Sequence, residues 1–212
     1  MMGTVLGNLI QGLPLNDQGE LVGGVMALLT PYPLLIAIFG ISCFTMHGSL
    51  YLLMKTEGTF HNKIRGWSRR TVWIFLLLWV VTTVVTFFLH PHMTDPFFNR
   101  PLLLIFPCLS LVGILGILQA VKKQRDGTAF LCSCLSILFL LLLFVIGTFP
   151  NIAYSTINPE QNSLTFMNSS VSEFALWILA GVALTGVPLS FFYFPYIYKV
   201  FKGKVKLHSM SY

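Results

Sequence analysis

Five long apolar stretches dominate the hydropathy pattern of the chain, and polar or charged residues separate them. A helix needs roughly 20 residues, at about 1.5 Å each, to cross the hydrocarbon core of a bilayer. The pattern therefore predicts five transmembrane helices, which we designate A to E. Their predicted ranges are 33–54 for A, 71–90 for B, 101–121 for C, 129–149 for D and 174–198 for E.

The segments between these stretches complete the predicted organisation. Residues 1–30 are expected to hold the last turns of a helix whose earlier part is missing, followed by an outer loop. Residues 31–149 form a four-helix transmembrane bundle, 150–173 an outer loop, and 174–212 the final helix with a basic tail. Pro107 and Pro188 lie inside predicted spans and are expected to kink them.

Composition supports the class of protein and excludes others. The 212-residue chain is 55% hydrophobic and only 9% charged, whereas soluble domains carry about 25% charged residues. A water-soluble or disordered chain is therefore excluded. A membrane β-barrel would show alternating segments of roughly ten residues, and these runs are continuous. The prediction is an all-α membrane protein.

The distribution of basic residues predicts the orientation. Arg100 is the only basic residue predicted on one side of the membrane. The other side carries Lys55, Lys63, Arg65, Arg69, Arg70, Lys122, Lys123, Arg125, Lys199, Lys202, Lys204 and Lys206. Because cytoplasmic loops are enriched in Lys and Arg, the N-terminus is predicted outside and the C-terminus in the cytoplasm. Cations placed this way orient a membrane protein, so no nucleic-acid partner is expected.

Ionisable groups at membrane depth are costly and therefore mark functional sites. All seven acidic residues lie in predicted loops or at the edges of spans, so no carboxylate relay can be built and no catalytic residue is predicted. His47 is the only histidine well inside a span. It is a weak candidate for a cofactor ligand or a proton relay, and the favoured interpretation is a neutral imidazole hydrogen-bonded to a neighbouring helix.

Weaker patterns allow two interpretations each. His90 and His92, with Asp95, could hold a metal ion at the outer surface, but interfacial histidines are common and no metal is predicted. Cys132 and Cys134 point about 200° apart on a helix and do not chelate together. Asn168 begins an N-glycosylation sequon, a short match that arises easily by chance.

Two further patterns concern helix surfaces. The aromatic run over residues 191–198 is interpreted as an interfacial belt, with stacking of a quinone or lipid as the alternative. Small residues on helix C (Ser110, Gly113, Gly116) and helix E (Gly181, Thr185) suit close helix packing.

Several motifs together resemble subunit II of the bacterial cytochrome bd-type quinol oxidases. They are GNLIQGLP at 7–14, TPYP at 30–33, HGSLY at 47–51, KTEG at 55–58, FP at 149–150, NSLT at 162–165, NSS at 168–170 and YKVFKGKV at 198–205. The resemblance covers nearly the whole chain but only the later part of the family's sequence, since four further helices precede it in family members.

The resemblance implies a role without cofactor. In such a complex subunit I would hold haems b and d and oxidise quinol, and this chain would pack beside it as a structural subunit in the bacterial inner membrane. A separate first-half chain of subunit II, membrane lipid and quinone are further implied partners. Two alternatives stay open: half of a small permease, which the absence of deep charges disfavours, or a non-functional truncated remnant.

Overall fold

The computed structural model describes residues 1–169 and 172–201. Its helices are α1 Met2–Gln11, α2 Pro31–Lys55, α3 Gly58–Leu89, α4 Asp95–Asn99, α5 Ile105–Lys122, α6 Asp126–Thr148, α7 Pro159–Asn162 and α8 Glu173–Val200. Three 3-10 turns cover Val25–Leu28, Pro91–Met93 and Pro101–Leu104, and two short strands are β1 Asn151–Ala153 and β2 Leu164–Thr165. Five of the described helical segments are long and apolar enough to span a membrane. The predicted all-α membrane class with five spans is thereby confirmed.

Helix α3 is longer than helix B of the sequence analysis. It begins at Gly58, not at residue 71, because the sequence between them contains no proline to stop a helix. Ile64 and Ser68 also continue the buried face formed by Val72 and Phe75. The predicted basic loop between the first two spans is therefore corrected. Only residues 56 and 57 connect the helices, and four of the cations assigned to the loop lie on α3.

The two prolines predicted to kink spans differ in position. Pro107 is the third residue of α5, where its missing N–H would have no intrahelical partner in any case. The chain instead changes from a 3-10 turn to an α-helix just before it, at Ile105. A kink of this span at Pro107 stays a prediction. Pro188 does lie inside its helix, together with Pro195.

Helix α2 is the centre of the packed bundle, because it contacts α1, α3 and α6, while α5 pairs with α6. The buried core between these helices contains Met46, Leu50, Phe75, Ile114 and Ile117. These side chains are apolar and no more than 1% exposed. They hold the four main spans together by close packing, which replaces the hydrophobic effect as the driving force within a membrane.

Small residues allow the closest helix contacts. A Cβ at Gly113 would lie 2.7 Å from the Oγ of Ser136, and one at Gly116 would lie 2.8 Å from the Sγ of Cys132. The predicted small-residue row on helix C therefore does mediate close packing. No described atom lies within 4 Å of a Cβ at Gly181, so close packing of the row on helix E stays a prediction. No residue of α8 is buried by the described chain.

The connecting segments at one end of the bundle form a folded layer, which we call the loop end. It contains residues 12–30, 90–104 and 149–169. Strands β1 and β2 pair antiparallel, and Leu13 forms a parallel bridge with Ser155. The segment predicted as an outer loop thus contains a small sheet and the helix α7. Residues 170 and 171 of this segment lie outside the described part.

The opposite end, which we call the cationic end, contains nearly all the basic residues. Its described members are Lys55, Lys63, Arg65, Arg69, Arg70, Lys122, Lys123, Arg125 and Lys199. Arg100 is at the loop end. The predicted tail cations Lys202, Lys204 and Lys206, with the end of the YKVFKGKV motif, lie outside the described residues.

Candidate functional site

His47 projects from α2 toward α6, where it meets Ser133. Its Nδ1 lies 2.8 Å from the Oγ of Ser133, and that hydroxyl donates to the carbonyl of Phe130 at 2.6 Å. Because the serine proton is used there, Nδ1–H of His47 is the donor in the interhelical bond. The imidazole also stacks on Phe130, with 4.9 Å between ring centroids. The expected hydrogen bond to a neighbouring helix is present.

The surroundings of His47 do not form a two-ligand haem site. Haem iron commonly takes histidine or methionine as protein ligands. Met46 is next in the chain but is fully buried in the core, so the two side chains leave the helix in different directions. Among the described residues no other histidine lies at comparable depth in a span. A haem held by two protein side chains would need a second donor in addition to His47.

The other buried histidines gather at the loop end. His90 caps the C-terminus of α3 and packs against Tyr32 of α2, with 4.2 Å between their rings. The hydroxyl of Tyr32 is hydrogen-bonded to Thr86 at 2.7 Å. His92 stacks on Tyr154 at 4.3 Å. This aromatic cluster joins α2, the C-terminal end of α3 and the residue that follows β1.

His92 also closes the end of α1. Its Nε2 lies 2.8 Å from the carbonyl oxygen of Ile10 and donates to it, which satisfies one of the free carbonyls at that helix end. Burial lowers the pKa of His92, and the Ile10 carbonyl and Asp95 oppose that shift. Burial, and then the nearby His92, lowers the pKa of His90. Both rings are therefore neutral near pH 7.

The three residues His90, His92 and Asp95 do not meet as a metal site. The two imidazole centroids lie 5.9 Å apart at an angle of 73°, and His92 uses its Nε2 on the backbone. Within the described part of the chain, no group of three or more His, Cys, Asp or Glu side chains is placed to hold a metal ion. Cys132 and Cys134 are both free thiols.

A cavity of about 660 Å³ opens beside His92. Its polar lining comes from His92, Asp95, Asn99, Arg100 and Tyr154. Its apolar lining is contributed by Leu9 of α1, by the junction around residue 103 and by the end of α6. The cavity thus lies where the helix ends meet the loop end, with charged groups of both signs at its wall.

Hydrogen bonds from buried side chains hold the loop end together. Asn162 donates from Nδ2 to the carbonyl of Leu15 at 3.0 Å and to the carboxylate of Asp17 at 3.1 Å. Ser155 is fully buried and accepts from the backbone N–H of Ile157 at 3.1 Å. The two bonds of Asn162 connect residues more than a hundred positions apart in the chain, so they join the segment after α6 to the segment after α1.

At the cationic end, Arg65 joins α3 to the start of α6. Its Nη2 lies 3.1 Å from the Oδ2 of Asp126 and 2.8 Å from the Nε2 of His61. His61 itself lies 3.5 Å from the same carboxylate oxygen. The sequence analysis missed this cluster, because it assigned His61 and Arg65 to a loop. His61 and Arg65 are four residues apart, the spacing at which two side chains lie next to each other on one face of a helix. This spacing could have indicated that the helix continues.

A family model settles the relationship that the motifs indicated. The model for cytochrome bd terminal oxidase subunit II matches residues 1–201 of this chain. The chain belongs to that family. Together with the five described spans, this makes it a multi-pass membrane protein of the cytochrome bd subunit II family.

Curated members of the subunit II family are similar over nearly the whole chain. It is 27% identical to the probable cytochrome oxidase subunit 2 of Haemophilus influenzae over 97% of its own length and 62% of the relative's. It is 24% identical to the cytochrome bd-I ubiquinol oxidase subunit 2 of Escherichia coli K12, with the same coverage. The cytochrome bd ubiquinol oxidase subunit 2 of Bacillus subtilis is also 24% identical, over 97% of this chain and 60% of the relative. The chain therefore spans about three fifths of these relatives.

Proposed function

We infer that this chain is a structural, non-haem-binding part of a cytochrome bd-type quinol:oxygen oxidoreductase in the bacterial cytoplasmic membrane. In this proposal the haems b and d and the oxidation of quinol belong to subunit I, and this chain packs beside it. Its N-terminus is outside and its cationic end lies in the cytoplasm, as the positive-inside rule requires. A first-half chain of subunit II is a further proposed partner.

The observation that carries the proposal is the distribution of ionisable groups in the spans. The acidic residues of the described helices that cross the membrane are Asp126 and Glu173, and each is the first residue of its helix. His47 is the deep imidazole, and its Nδ1 is engaged by Ser133. Proton transfer through a membrane normally needs ionisable side chains at depth, so we assign that chemistry to the partner subunit.

The exposed apolar surface of α8 supports a packing role. None of its residues is buried by the described chain, and large side chains such as Trp177 and Phe191 are 72% and 73% exposed. The aromatic run over residues 191–198 is exposed as well. Its proposed role is interfacial anchoring, and the same helix offers van der Waals contacts to other spans of the complex.

Affinity purification of the tagged chain from its native membranes tests the proposal. We expect it to co-purify with an oxidase subunit and to bring a haem b and d absorption spectrum. His47→Ala should leave that spectrum unchanged, since the haems are assigned to subunit I. Isolation of the chain without any oxidase subunit would contradict the partnership. Loss of one haem signal in His47→Ala, with the complex intact, would contradict the non-haem-binding role.

A further inference from the structure

The part of α3 at the cationic end presents an exposed face that combines cations with tryptophans. Trp67 is 60% exposed, Trp73 is 66% exposed and Ile74 is 53% exposed. Arg69 and Arg70 are exposed between them. The opposite side of the helix, with Ile64, Ser68, Val72 and Phe75, is buried against the bundle. This face, which we call the α3 basic face, therefore points away from the protein.

The depth of the α3 basic face in the membrane follows from the length of the apolar part of α3. Residues 71–89 contain no charged side chain and extend about 28 Å at 1.5 Å per residue, close to the roughly 30 Å hydrocarbon thickness. Arg69 and Arg70 directly precede this stretch, so they lie at the level of the lipid headgroups. Trp73 lies one turn deeper, at the position that interfacial tryptophans prefer.

Within the described part of the chain, no carboxylate balances the charge of this face. Asp126 is engaged by Arg65 and His61, on the buried side of α3. Glu57, the other acidic residue near this end, lies more than three helical turns before Arg69 in the chain. Within residues 1–169 and 172–201, no salt bridge joins Arg69 or Arg70 to a carboxylate. An anionic group from outside the chain is the complementary partner.

We propose that the α3 basic face binds anionic phospholipid. The lipid phosphate pairs with the guanidinium groups of Arg69 and Arg70, and the acyl chains lie along Trp73, Ile74 and Leu77, which is 66% exposed. Exposed apolar side chains directly below exposed cations match an amphipathic anion better than a soluble one. Lipid is chosen over a protein partner because exposed apolar and aromatic side chains continue directly from the cations, with Trp67 on the headgroup side of the arginines and Trp73 one turn deeper.

Tryptophan quenching by lipids with brominated acyl chains tests the site. The full chain, carrying Trp79→Phe and Trp177→Phe so that Trp67 and Trp73 report, is reconstituted into mixed vesicles of phosphatidylglycerol and phosphatidylcholine. Only one of the two lipids is brominated in each sample. We expect brominated phosphatidylglycerol to quench at lower mole fraction, with a preference of about fivefold for each participating arginine.

Variants separate a local site from the general charge of this end. Arg69→Gln with Arg70→Gln should abolish the preference, whereas Arg69→Lys with Arg70→Lys should keep most of it, because charge dominates. Lys122→Gln with Lys123→Gln removes the same charge from the same end and should leave the preference intact. Native mass spectrometry of the chain with its four tryptophans, counting retained phosphatidylglycerol, provides a second measurement that needs no tryptophan substitution.

Three results would overturn the proposal. The first is equal quenching by the two lipids in the arginine-containing protein. The second is a preference that Arg69→Gln with Arg70→Gln leaves unchanged. The third is complete protection of Trp67 and Trp73 from brominated lipid in the purified oxidase complex, which would assign this face to a protein partner.

Discussion

The Nδ1 of His47 and the Oγ of Ser133 lie 2.8 Å apart and join α2 to α6 within the membrane. The two residues are separated by 86 positions in the chain, and Ser133 is fully buried between the helices. The imidazole of His47 therefore contributes to the packing of these two helices.

Removing either partner of this bond should destabilise the bundle by a modest amount. Ser133→Ala and His47→Ala are each expected to lower the free energy of unfolding by about 1 kcal/mol, as interhelical hydrogen bonds in membranes usually do. Unfolding in mixed micelles measures these values. The double variant should cost less than the sum of the single variants. Strict additivity would show that the two side chains do not interact.

The contact of Gly113 with α6 predicts a steric effect. Gly113→Ala places a Cβ 2.7 Å from the Oγ of Ser136, so the helices must separate, and we expect a loss of about 1–3 kcal/mol in the free energy of unfolding. The same measurement in mixed micelles applies. Gly181→Ala is the matched control, because its Cβ meets no described atom within 4 Å. Adding Ser136→Ala to Gly113→Ala should recover part of the loss. A Gly113→Ala protein as stable as the control would contradict the packing.

The two histidines of the loop end predict a dependence of stability on pH. Burial lowers the pKa of both His90 and His92 from the ordinary value of 6.5, so the unfolded segment binds more protons than the folded one below that pH. The contribution of these residues to stability is therefore complete above about pH 6.5 and decreases as the pH falls toward their folded pKa. The limiting slope is about 1.4 kcal/mol per pH unit for each histidine.

Thermal unfolding between pH 5 and pH 7.5 measures this effect, with the melting temperature expected to fall on the acid side. His90→Phe keeps an aromatic ring against Tyr32 and should flatten the profile, because it removes one titrating group. A profile that is equally steep in His90→Phe would assign the pH dependence elsewhere.

The hydrogen bonds of Asn162 predict that this residue stabilises the loop end. Its amide donates to the Leu15 carbonyl and to Asp17, and Asn162→Ala leaves a buried acceptor without its donor. We expect a loss of about 1–3 kcal/mol in local stability, measured as faster hydrogen exchange at the amides of Leu13 and Val22. These amides donate to carbonyls within the layer. Gln161→Ala changes the exposed neighbour and should leave exchange at both amides unchanged; equal acceleration by the two variants would contradict the assignment.

The spans were predictable because burial in lipid imposes a long apolar run on each of them. All five described membrane helices fall on predicted segments. Ser110, Gly113 and Gly116 were identified on the correct helix, since small residues leave a visible spacing of three. The start of α3 was not predicted, because hydropathy shows only which part of a helix lies in the lipid. It does not show how far the helix extends into water. Residues 58–70, which include four cations, continue the helix although they are mostly polar.

The candidate sites were also predictable only in part. A hydrogen bond from His47 to a neighbouring helix could be expected from the cost of an unpaired polar group at depth, but Ser133 as its partner could not. The cluster of Arg65, His61 and Asp126 depends on the packing of α3 against the start of α6. No pattern in the sequence indicates that these two helices meet. The stacking of His92 on Tyr154 depends on how the connecting segments fold over the bundle.

The order of polar and apolar residues alone thus determined the membrane class, the number of spans and the end that carries the cations. These properties follow from solvation in lipid and water, which acts on each segment separately. Only the tertiary structure decided that α2 is central, that α8 is left unburied by the described chain and that the loop segments form a layer. Those features depend on side-chain contacts between distant segments, such as Asn162 with Leu15, and no local pattern encodes which partner a side chain meets.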